Sequence, residues 1–482
     1  MIWPDWLLDT LTGFNYVVVF YFVGLNTVYL CLFILSLSEV RRFVRRTFFS
    51  DYQRLRESEL GWPVSILVAA HNEERTIVET IRSLMMLSYS EFEIIIINDG
   101  STDQTLKTLM ESFGLRRVGI AYRKSLDTEP VRGIYASLDR SNLIVVDKVR
   151  GGKSDALNCG INLSRYPLIC SIDADSMIED NALLRVVKPF MEHPEEMIAA
   201  GGIVRIVNGC TVKDGHVTTI ALPDRSLPIM QAVEYLRAFL MGRVGWSALQ
   251  SLLIISGAFG IYRKQLVIDI GGFSRESDTE DLELVVRMHR YMRDKKKKYR
   301  VTFVPDPVCW TEVPTTLRVL MQQRNRWHRG LIQTLWGNRR MLFNPRYGTV
   351  GLFAFPYFFI FEMLGPFIEF LGYISISLSA MLGVLNRDFF LLFLGVSILY
   401  GVFLSVSAVL LEEISFRRYP SWLDLIKLIT FSILENFGYR QLLTFFKVKA
   451  FVDLIFRRRY WGTMKRTGFR NELEIAAKKP VP

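Results

Sequence analysis

Long apolar segments lie near both ends of the chain, and a different pattern lies between them. Tyr16–Leu37 runs for 22 residues without a charge, which is enough to cross a bilayer. Four arginines follow, at positions 41, 42, 45 and 46. By the positive-inside rule, the N-terminus is expected outside and the next part of the chain in the cytoplasm. The pattern therefore predicts a membrane helix with a basic flank over residues 1–46.

Residues 62–345 instead alternate short apolar runs with helical spacing, which predicts a doubly wound, mainly parallel α/β sheet. Strands are expected at Val64–Ala70, Phe92–Ile97, Leu143–Val146, Ile254–Tyr262 and Val301–Val304, and in the apolar run of Leu168–Met177 that ends in Asp173 and Asp175. Helices are expected at Glu73–Leu87, Ser154–Leu163, Gln231–Leu240 and Thr316–Trp336, and from Thr279 onward. The pattern over Met191–Ser251 is less regular. Lys295–Lys298 is expected to be a solvated loop, with contact to anionic lipid as the alternative.

Apolar segments return in residues 346–456. Tyr347–Leu385 and Phe389–Leu411 each predict one membrane span. Charges interrupt Ser421–Phe456, which predicts either a hairpin of two short spans or a helix pair lying in the membrane interface. The hairpin would bring the total to five spans. Basic residues flank this segment on both sides, so both its ends and the tail, residues 457–482, are expected in the cytoplasm.

Two acids in the first of these segments, Glu362 and Glu369, are seven residues apart and so share a helix face. They are expected either to line a passage through the spans or to form a structural pair.

Composition narrows the class of protein. The chain has 482 residues and a net charge of +11, and its mean hydropathy of +0.21 lies between a soluble enzyme and a transporter. Beside apolar segments, the basic excess favours the cytoplasmic membrane face over nucleic acid. The five cysteines are scattered without CxxC, and neither GxGxxG nor a P-loop occurs.

Candidate chemistry begins with Asp173 and Asp175, which follow an apolar run. Ligands of open α/β sheets bind at the carboxyl ends of strands, and residues two apart share one face of a strand. The pair is therefore expected to meet a hard divalent cation and its diphosphate. A pair of acids in a surface turn is the alternative.

Further motifs flank this pair in a fixed order. They are Ala70–Glu74, Asn98–Ser101, Gly151–Asn158, Ser256–Phe259, Thr279–Asp281 and the QxxRW of Gln323, Arg326 and Trp327. Together they resemble the membrane-embedded family 2 glycosyltransferases, the processive synthases of poly-N-acetylglucosamine, hyaluronan, chitin and cellulose. The resemblance implies a GT-A fold, which is Rossmann-like α/β, inserted between transmembrane helices. It also implies a nucleotide-sugar donor and inversion at the sugar carbon. Gly151–Asn158 and the helix beginning at Gln231 look most like the poly-β-1,6-N-acetylglucosamine synthase branch, which makes UDP-GlcNAc the favoured donor.

The resemblance also assigns roles to residues. On the donor side it places Asp99 at uracil, His71 and Glu73 at the base and ribose, Lys153 and Arg326 at the diphosphate, Asp173 at the ribose or the metal's water, and Asp175 at Mg²⁺ or Mn²⁺. On the acceptor side it places Trp327 at the acceptor sugar, Asp281 as catalytic base with Glu280 as fallback, and Trp461, Gly462 and Thr463 in a gating segment. The family more often has Tyr at the position of His71.

Two opposing effects act on the expected base, Asp281. Its place at a helix N-terminus lowers the basicity of a carboxylate, and burial raises it. The sequence leaves this balance open.

These features predict a multi-pass protein of the plasma (inner) membrane with a cytoplasmic catalytic domain. It would transfer sugar from a UDP-sugar to a growing β-linked polysaccharide and export the polymer. A non-processive enzyme acting on a lipid is one alternative, and an inactive binding scaffold or transporter subunit is another. An accessory membrane subunit is left open.

Overall fold

The computed structural model describes residues 4–48, 61–137 and 139–456, and a mixed sheet forms the centre of the region that follows the first helix. Its order is β3-β4-β5-β2-β1-β6-β11-β8-β12-β7, and β9 and β10 form a separate hairpin. The strands are β1 Val64–Ala70, β2 Phe92–Asp99, β3 Leu115–Val118, β4 Val131–Ser137, β5 Leu143–Lys148, β6 Leu168–Asp173, β7 Ser176–Ile178, β8 Met197–Ile206, β9 Thr211–Lys213, β10 His216–Thr219, β11 Phe259–Arg263 and β12 Arg300–Thr311.

The centre of the sheet, β5-β2-β1-β6, is parallel, as the alternating pattern predicts. These strands are buried apolar runs because helices cover both faces. Their register brings the carboxyl ends to one edge. Asn98 lies beside both Ala70 and Asp147, and Asp173 lies beside Ala69. The motifs that follow these strands therefore meet at that edge.

Helices surround the sheet and extend beyond it. They are α1 Asp5–Phe48, α2 Ile77–Met85, α3 Thr105–Phe113, α4 Lys153–Leu163, α5 Ala182–Glu192, α6 Ser226–Leu236, α7 Val244–Ala248, α8 Lys264–Asp269, α9 Glu280–Asp294, α10 Leu317–Gly337, α11 Phe355–Tyr357, α12 Gly365–Met381, α13 Arg387–Leu394, α14 Tyr400–Ser415, α15 Trp422–Leu434 and α16 Tyr439–Ile455. π-Helical turns at Arg237–Arg243, Val350–Ala354, Phe358–Leu364 and Gly395–Leu399 join several of them, and Arg339–Met341 and Pro345–Tyr347 are 3₁₀ turns.

One long strand was not predicted, and another begins later than expected. The irregular stretch after Met191 contains β8, ten residues that are all buried, and Gly201, Gly202 and Arg205 hide its apolar pattern. The strand expected from Ile254 begins only at Phe259, and the residues before it form no regular structure.

Three helices in the described residues are long and apolar enough to cross a membrane: Asp5–Thr47, Val350–Met381 and Arg387–Ser415. The first two are antiparallel, since residues early in α1 bond to residues late in the second helix. Asn15 bonds to Ser379 at 2.9 Å, and Tyr29 bonds to Glu362 at 3.2 Å.

Neither α15 nor α16 is among these three helices, since they have 13 and 17 residues. At 13 residues, α15 is about 20 Å long, less than the roughly 30 Å of a hydrocarbon core. Both ends of α16 also contact the α/β region. Tyr439 donates to Glu234 at 2.9 Å, and Asp453 accepts from Asn325 at 2.8 Å. These contacts favour the interfacial alternative for the helix pair.

Buried ion pairs join the third long helix to the sheet. Arg205 of β8 pairs with Glu412 of α14 at 2.6 Å, with both side chains almost fully buried. Arg418, just after α14, pairs with Glu179 at 2.8 Å and with Asp306 at 3.2 Å. The segment after the third span is thus held on the same side as the α/β region.

Candidate active site

The carboxylate of Asp99 shapes the turn that leads into α4. Its oxygens accept hydrogen bonds from the backbone N–H groups of Gly151, at 2.9 Å, and Gly152, at 2.7 Å. Gly152 has φ +91°, a left-handed conformation that favours glycine. Asp99 therefore positions the residue that follows, Lys153, whereas its predicted contact with uracil stays a prediction.

A buried cation, Lys148, supports this turn and was missed by the sequence reasoning. Its ammonium group lies 2.9 Å from Asp99 and 2.5 Å from Asp155, and its side chain is fully buried. Arg275 also pairs with Asp155. Burial lowers the pKa of Lys148, but the two carboxylates outweigh it and the net shift is upward. The signal was present in the sequence, since Lys148 ends a buried strand and requires a partner.

His71 and Glu73 follow β1 and lie against the loop after β2. His71 Nδ1 is 2.9 Å from the carbonyl oxygen of Asp99. Glu73 accepts a hydrogen bond from Thr76 at 2.9 Å, and its backbone N–H donates to Thr105 at 2.9 Å. The structure thus brings His71 and Asp99 together, as expected for neighbouring parallel strands.

Lys153 links two other motifs at the carboxyl edge. Its Nζ lies 2.5 Å from Asp173 and 2.7 Å from Glu280. Burial lowers the pKa of Lys153, but these two carboxylates raise it by more, so the ammonium form is favoured. The side chain keeps 27% of its exposure and can reach a bound anion.

Asp281 adjoins this cluster through the backbone of Gly257. Asp281 accepts hydrogen bonds from Gly257 N–H at 2.9 Å and from Leu282 N–H at 2.8 Å. A Cβ on Gly257 would lie 2.9 Å from Lys153 Nζ and 3.2 Å from Glu280 Oε1. Glycine at this position therefore lets the two acids and the lysine approach one another.

At Asp281, the effect of burial on the pKa of the carboxyl outweighs the opposing effect of the helix N-terminus. Burial raises the pKa of the Asp281 carboxyl, and the neighbouring charge of Glu280 raises it further. Lys153 and the two backbone N–H groups act in the opposite direction and offset only part of the rise. A raised pKa increases the affinity of a carboxylate for a proton, which suits a general base.

The geometric argument for Asp173 and Asp175 was wrong in one respect. Strand β6 ends at Asp173, and Asp175 lies in the turn before β7, so the two acids do not share a strand face. The side chain of Asp173 is 33% exposed and pairs with Lys153, whereas Asp175 is buried and accepts from Ser176 at 3.3 Å.

The donor set fits a cation that is shared with a substrate. No group of three or more His, Cys, Asp or Glu side chains within residues 4–48, 61–137 and 139–456 is arranged to hold a metal ion. Mg²⁺ commonly takes one or two carboxylates and completes its shell with substrate phosphate and water. Asp173 and Asp175 supply hard oxygen ligands of that kind.

Helix α10 places Arg326 beside the start of α9. Arg326 donates to the carbonyl oxygen of Asp278 at 3.3 Å, and Arg329 pairs with the Asp278 carboxylate at 3.2 Å. A Cβ on Gly330 would overlap Thr279, so the two helices touch at this point. The motif containing Arg326 and the motif containing Asp281 are thus neighbours.

Trp327 and the tail complete the predicted set. The guanidinium of Arg324 lies 4.3 Å from the centre of the Trp327 ring, a cation–π contact that holds one face of the indole. Trp461, Gly462 and Thr463 lie outside the described residues.

The two acids of the second long helix are both bonded. Glu362 accepts from Tyr29 and from Tyr357, at 3.2 and 3.1 Å. Glu369 accepts from Tyr21 at 3.0 Å and from Thr444 at 2.8 Å. These contacts favour the structural alternative for the pair.

Two known proteins with the same name are similar in sequence to this chain. Poly-beta-1,6-N-acetyl-D-glucosamine synthase of Staphylococcus epidermidis is 28% identical over 277 residues, which cover 57% of this chain and 56% of the relative. The protein of the same name from Staphylococcus aureus (strain COL) is 28% identical over 305 residues, or 62% and 61% of the two chains. The matched regions thus cover less than two thirds of these relatives.

A solved structure shares the fold. The mannosyltransferase PcManGT from Pyrobaculum calidifontis, in complex with GDP-Man and Mn²⁺, superposes with a TM-score of 0.51 at 16% identity. The superposition covers 88% of this chain and 99% of that one. The α/β region therefore has the GT-A fold, as the motifs predict.

The family assignment rests on the sequence of the α/β region. The sequence profile described as "Glycosyltransferase like family 2" matches residues 62–330, which is more than half of the chain and includes every motif from Ala70 to Trp327. The chain belongs to this family of glycosyltransferases.

Proposed function

We propose that the protein is an inverting, metal-dependent glycosyltransferase. It moves a sugar, with GlcNAc as the leading candidate, from a UDP-sugar to a growing β-linked polysaccharide. The observation that carries the proposal is the cluster of Lys153, Asp173 and Glu280, with Asp281 beside it, at the carboxyl edge of the sheet. The name of the staphylococcal relatives, poly-beta-1,6-N-acetyl-D-glucosamine synthase, supports the polymer and the sugar.

The cluster suits displacement of a diphosphate. Lys153 bridges two carboxylates, and a donor diphosphate would offer it a stronger anionic partner on the same side. Arg326, next to the start of α9, adds a second cation for the leaving group. Asp281 accepts the proton of the acceptor hydroxyl as it attacks the sugar carbon, and its raised pKa aids that transfer.

The remaining residues would bind the metal ion, the nucleobase with its ribose, and the acceptor sugar. Asp175, with Asp173, would hold Mg²⁺ or Mn²⁺, which neutralises charge on the departing UDP. His71, Glu73 and Asp99 would contact the nucleobase and the ribose of the donor. Trp327 would stack a ring face against the acceptor sugar.

The membrane part of the proposal places the catalytic domain in the cytoplasm. Arg41 and Arg42 lie at the end of α1 that leads into the domain, and the positive-inside rule favours the cytoplasm for such a basic flank. Arg418 follows the third span and pairs with Glu179, which supports the same side of the membrane for that end of the span and for the domain. Synthesis there would feed the polymer to the spans for export.

Products from a panel of UDP-sugars test the proposal. Purified full-length protein with Mn²⁺ or Mg²⁺ is expected to release UDP from UDP-GlcNAc and to make products many sugars long. Addition of a single sugar to lipid would establish the non-processive alternative. No UDP release from any UDP-sugar would establish a binding scaffold.

A further inference from the structure

A basic cavity of 540 Å³ lies away from the active site. Six cationic side chains line it: Arg293, Lys296, Lys297, Lys298, Arg300 and Arg346. Two carboxylates accompany them. Glu196 pairs with Arg300 at 2.8 Å, and Asp294 pairs with Arg346 at 3.2 Å. The cations thus outnumber the acids by four, which suits a ligand with a phosphate group.

The fold holds three of these cations in a tight turn. Helix α9 ends at Asp294, and Lys296 has φ +54°. The backbone N–H groups of Lys296 and Lys297 then bond back to Arg293 and Met292, both at 3.0 Å. Lys296, Lys297 and Lys298 are exposed. The carboxyl end of the helix favours these positive charges, so they are kept together without a buried partner.

The cavity adjoins the point where the chain enters its second long helix. Arg346 comes four residues before Val350, where that helix begins. The guanidinium of Arg293 packs on Gly348, where a Cβ would lie 3.0 Å from Nη2. The cavity therefore lies at the cytoplasmic end of a predicted span.

Exposed apolar side chains flank Arg346 along the chain. Phe343 is 60% exposed, Phe353 is 61% exposed and Leu352 is 40% exposed. Trp336, at the end of α10, is 57% exposed. Aromatic side chains beside cations are typical of a surface that meets lipid headgroups and the upper acyl chains.

We propose that this cavity binds the phosphate headgroup of an anionic phospholipid in the cytoplasmic leaflet. The lysine turn and Arg293 contact the phosphate, and Phe343 and Phe353 contact the acyl chains. A free phosphate would satisfy the cations but would leave the aromatic side chains in water. The proposal does not depend on the sugar transfer.

Binding of short-chain lipids to the full-length protein in detergent tests the proposal without an activity assay. Dihexanoyl phosphatidylglycerol is expected to bind at least about tenfold more tightly than dihexanoyl phosphatidylcholine or inorganic phosphate. The triple variant Lys296→Gln/Lys297→Gln/Lys298→Gln is expected to lose at least about tenfold in affinity for phosphatidylglycerol.

Two further variants separate charge from folding. Lys296→Arg/Lys297→Arg/Lys298→Arg keeps the charges and should keep the affinity. Lys107→Gln/Arg116→Gln/Arg123→Gln removes the same charge from exposed positions in α3, β3 and the loop after β3, and should also bind as the unchanged protein does. Equal affinity for the two lipids, or undiminished binding by the glutamine variant of the turn, would overturn the proposal. Inorganic phosphate binding as tightly as the lipid would show a soluble anion site instead.

Discussion

The proton acceptor of the proposed reaction is defined by its immediate neighbours. Asp281 accepts hydrogen bonds from two backbone N–H groups, and the charges of Lys153 and Glu280 act on it. Burial acts on the carboxyl more strongly than any of these, and its pKa is raised. Glu280 is bound directly to Lys153 at 2.7 Å, which favours Glu280 as the holder of the lysine and Asp281 as the base.

Replacement of Asp281 by Asn removes the proton acceptor and keeps the size of the side chain. We expect sugar transfer to fall by about 10² to 10⁴-fold, the usual contribution of a general base. Binding of UDP, measured by calorimetry, should change little. Glu283→Gln is the matched control, since its carboxylate pairs with Arg287 on the same helix. Full activity in Asp281→Asn with loss in Glu280→Gln would transfer the role to Glu280.

The dependence of activity on pH provides a second test of Asp281. The base works only when deprotonated, so the rate should fall as the pH drops through its pKa. Because that pKa is raised, the midpoint of the acid limb of kcat/KM should lie above 3.8, the ordinary value for Asp. Glu280→Gln removes a charge that raises this pKa and should move the midpoint to lower pH. A midpoint that moves upward would contradict the assignment.

The motifs predicted candidate site residues but not what each one contacts. The positions of Asp99, Lys153 and Asp281 at strand ends and at a helix start follow from local pattern. In the structure, the Asp99 carboxylate contacts Lys148, Gly151 and Gly152, which lie 49 to 53 residues further along the chain. Periodicity carries no information on such pairings.

The strands of the sheet also differ in how well the hydrophobic pattern predicts them. The parallel strands β1, β2, β5 and β6 are continuous apolar runs, and their alternation with helices predicted the centre of the sheet. Strand β8 carries two glycines and Arg205, which finds its partner on a helix 207 residues away. The polarity of that residue made the strand resemble a loop.

The helix pair α15 and α16 offers a prediction at this scale, because the two alternatives put its tip on opposite sides of the membrane. Phe437 lies between the two helices and is 57% exposed. In a Cys31→Ser background, Phe437→Cys is expected to react with an impermeant thiol reagent only from the cytoplasmic side. The control is Val384→Cys, in the loop between the second and third long helices, which should react only from outside.

This test has a clear contrary outcome. Labelling of Phe437→Cys from outside would restore the hairpin of two spans. The other four native cysteines are buried, so they should not react in folded protein.

At the scale of the whole molecule, the catalytic domain and the long helices form one packed unit. Val18, Tyr21 and Phe22 of α1 belong to the same apolar core as the strands of the sheet. Polar contacts also join the two parts, and both side chains of the pair of Arg205 with Glu412 are almost fully buried. The net free energy of this pair therefore affects how firmly the domain is attached to the third long helix.

The net free energy of the pair depends on the buried polar atoms that it leaves without a hydrogen bond. Arg205 Nε and Nη1 and Glu412 Oε1 are buried and make no hydrogen bond within the described residues. The single bond at 2.6 Å thus offsets only part of the cost of removing two charges from water. We expect removal of one partner to be costly, because the other charge then remains buried alone.

A double-mutant cycle measures this directly. Glu412→Leu or Arg205→Met alone is expected to lower the free energy of unfolding by about 3 to 5 kcal/mol. The double variant should recover most of that loss, since two apolar side chains suit the site better than one charge. Thermal unfolding in detergent gives the comparison, and the exposed pair of Lys107 with Glu111 serves as control because its coupling should be near zero. If the double variant unfolded as readily as the worse single variant, the pair would be a net source of stability. The domain would then be held to its span by charge rather than by apolar packing.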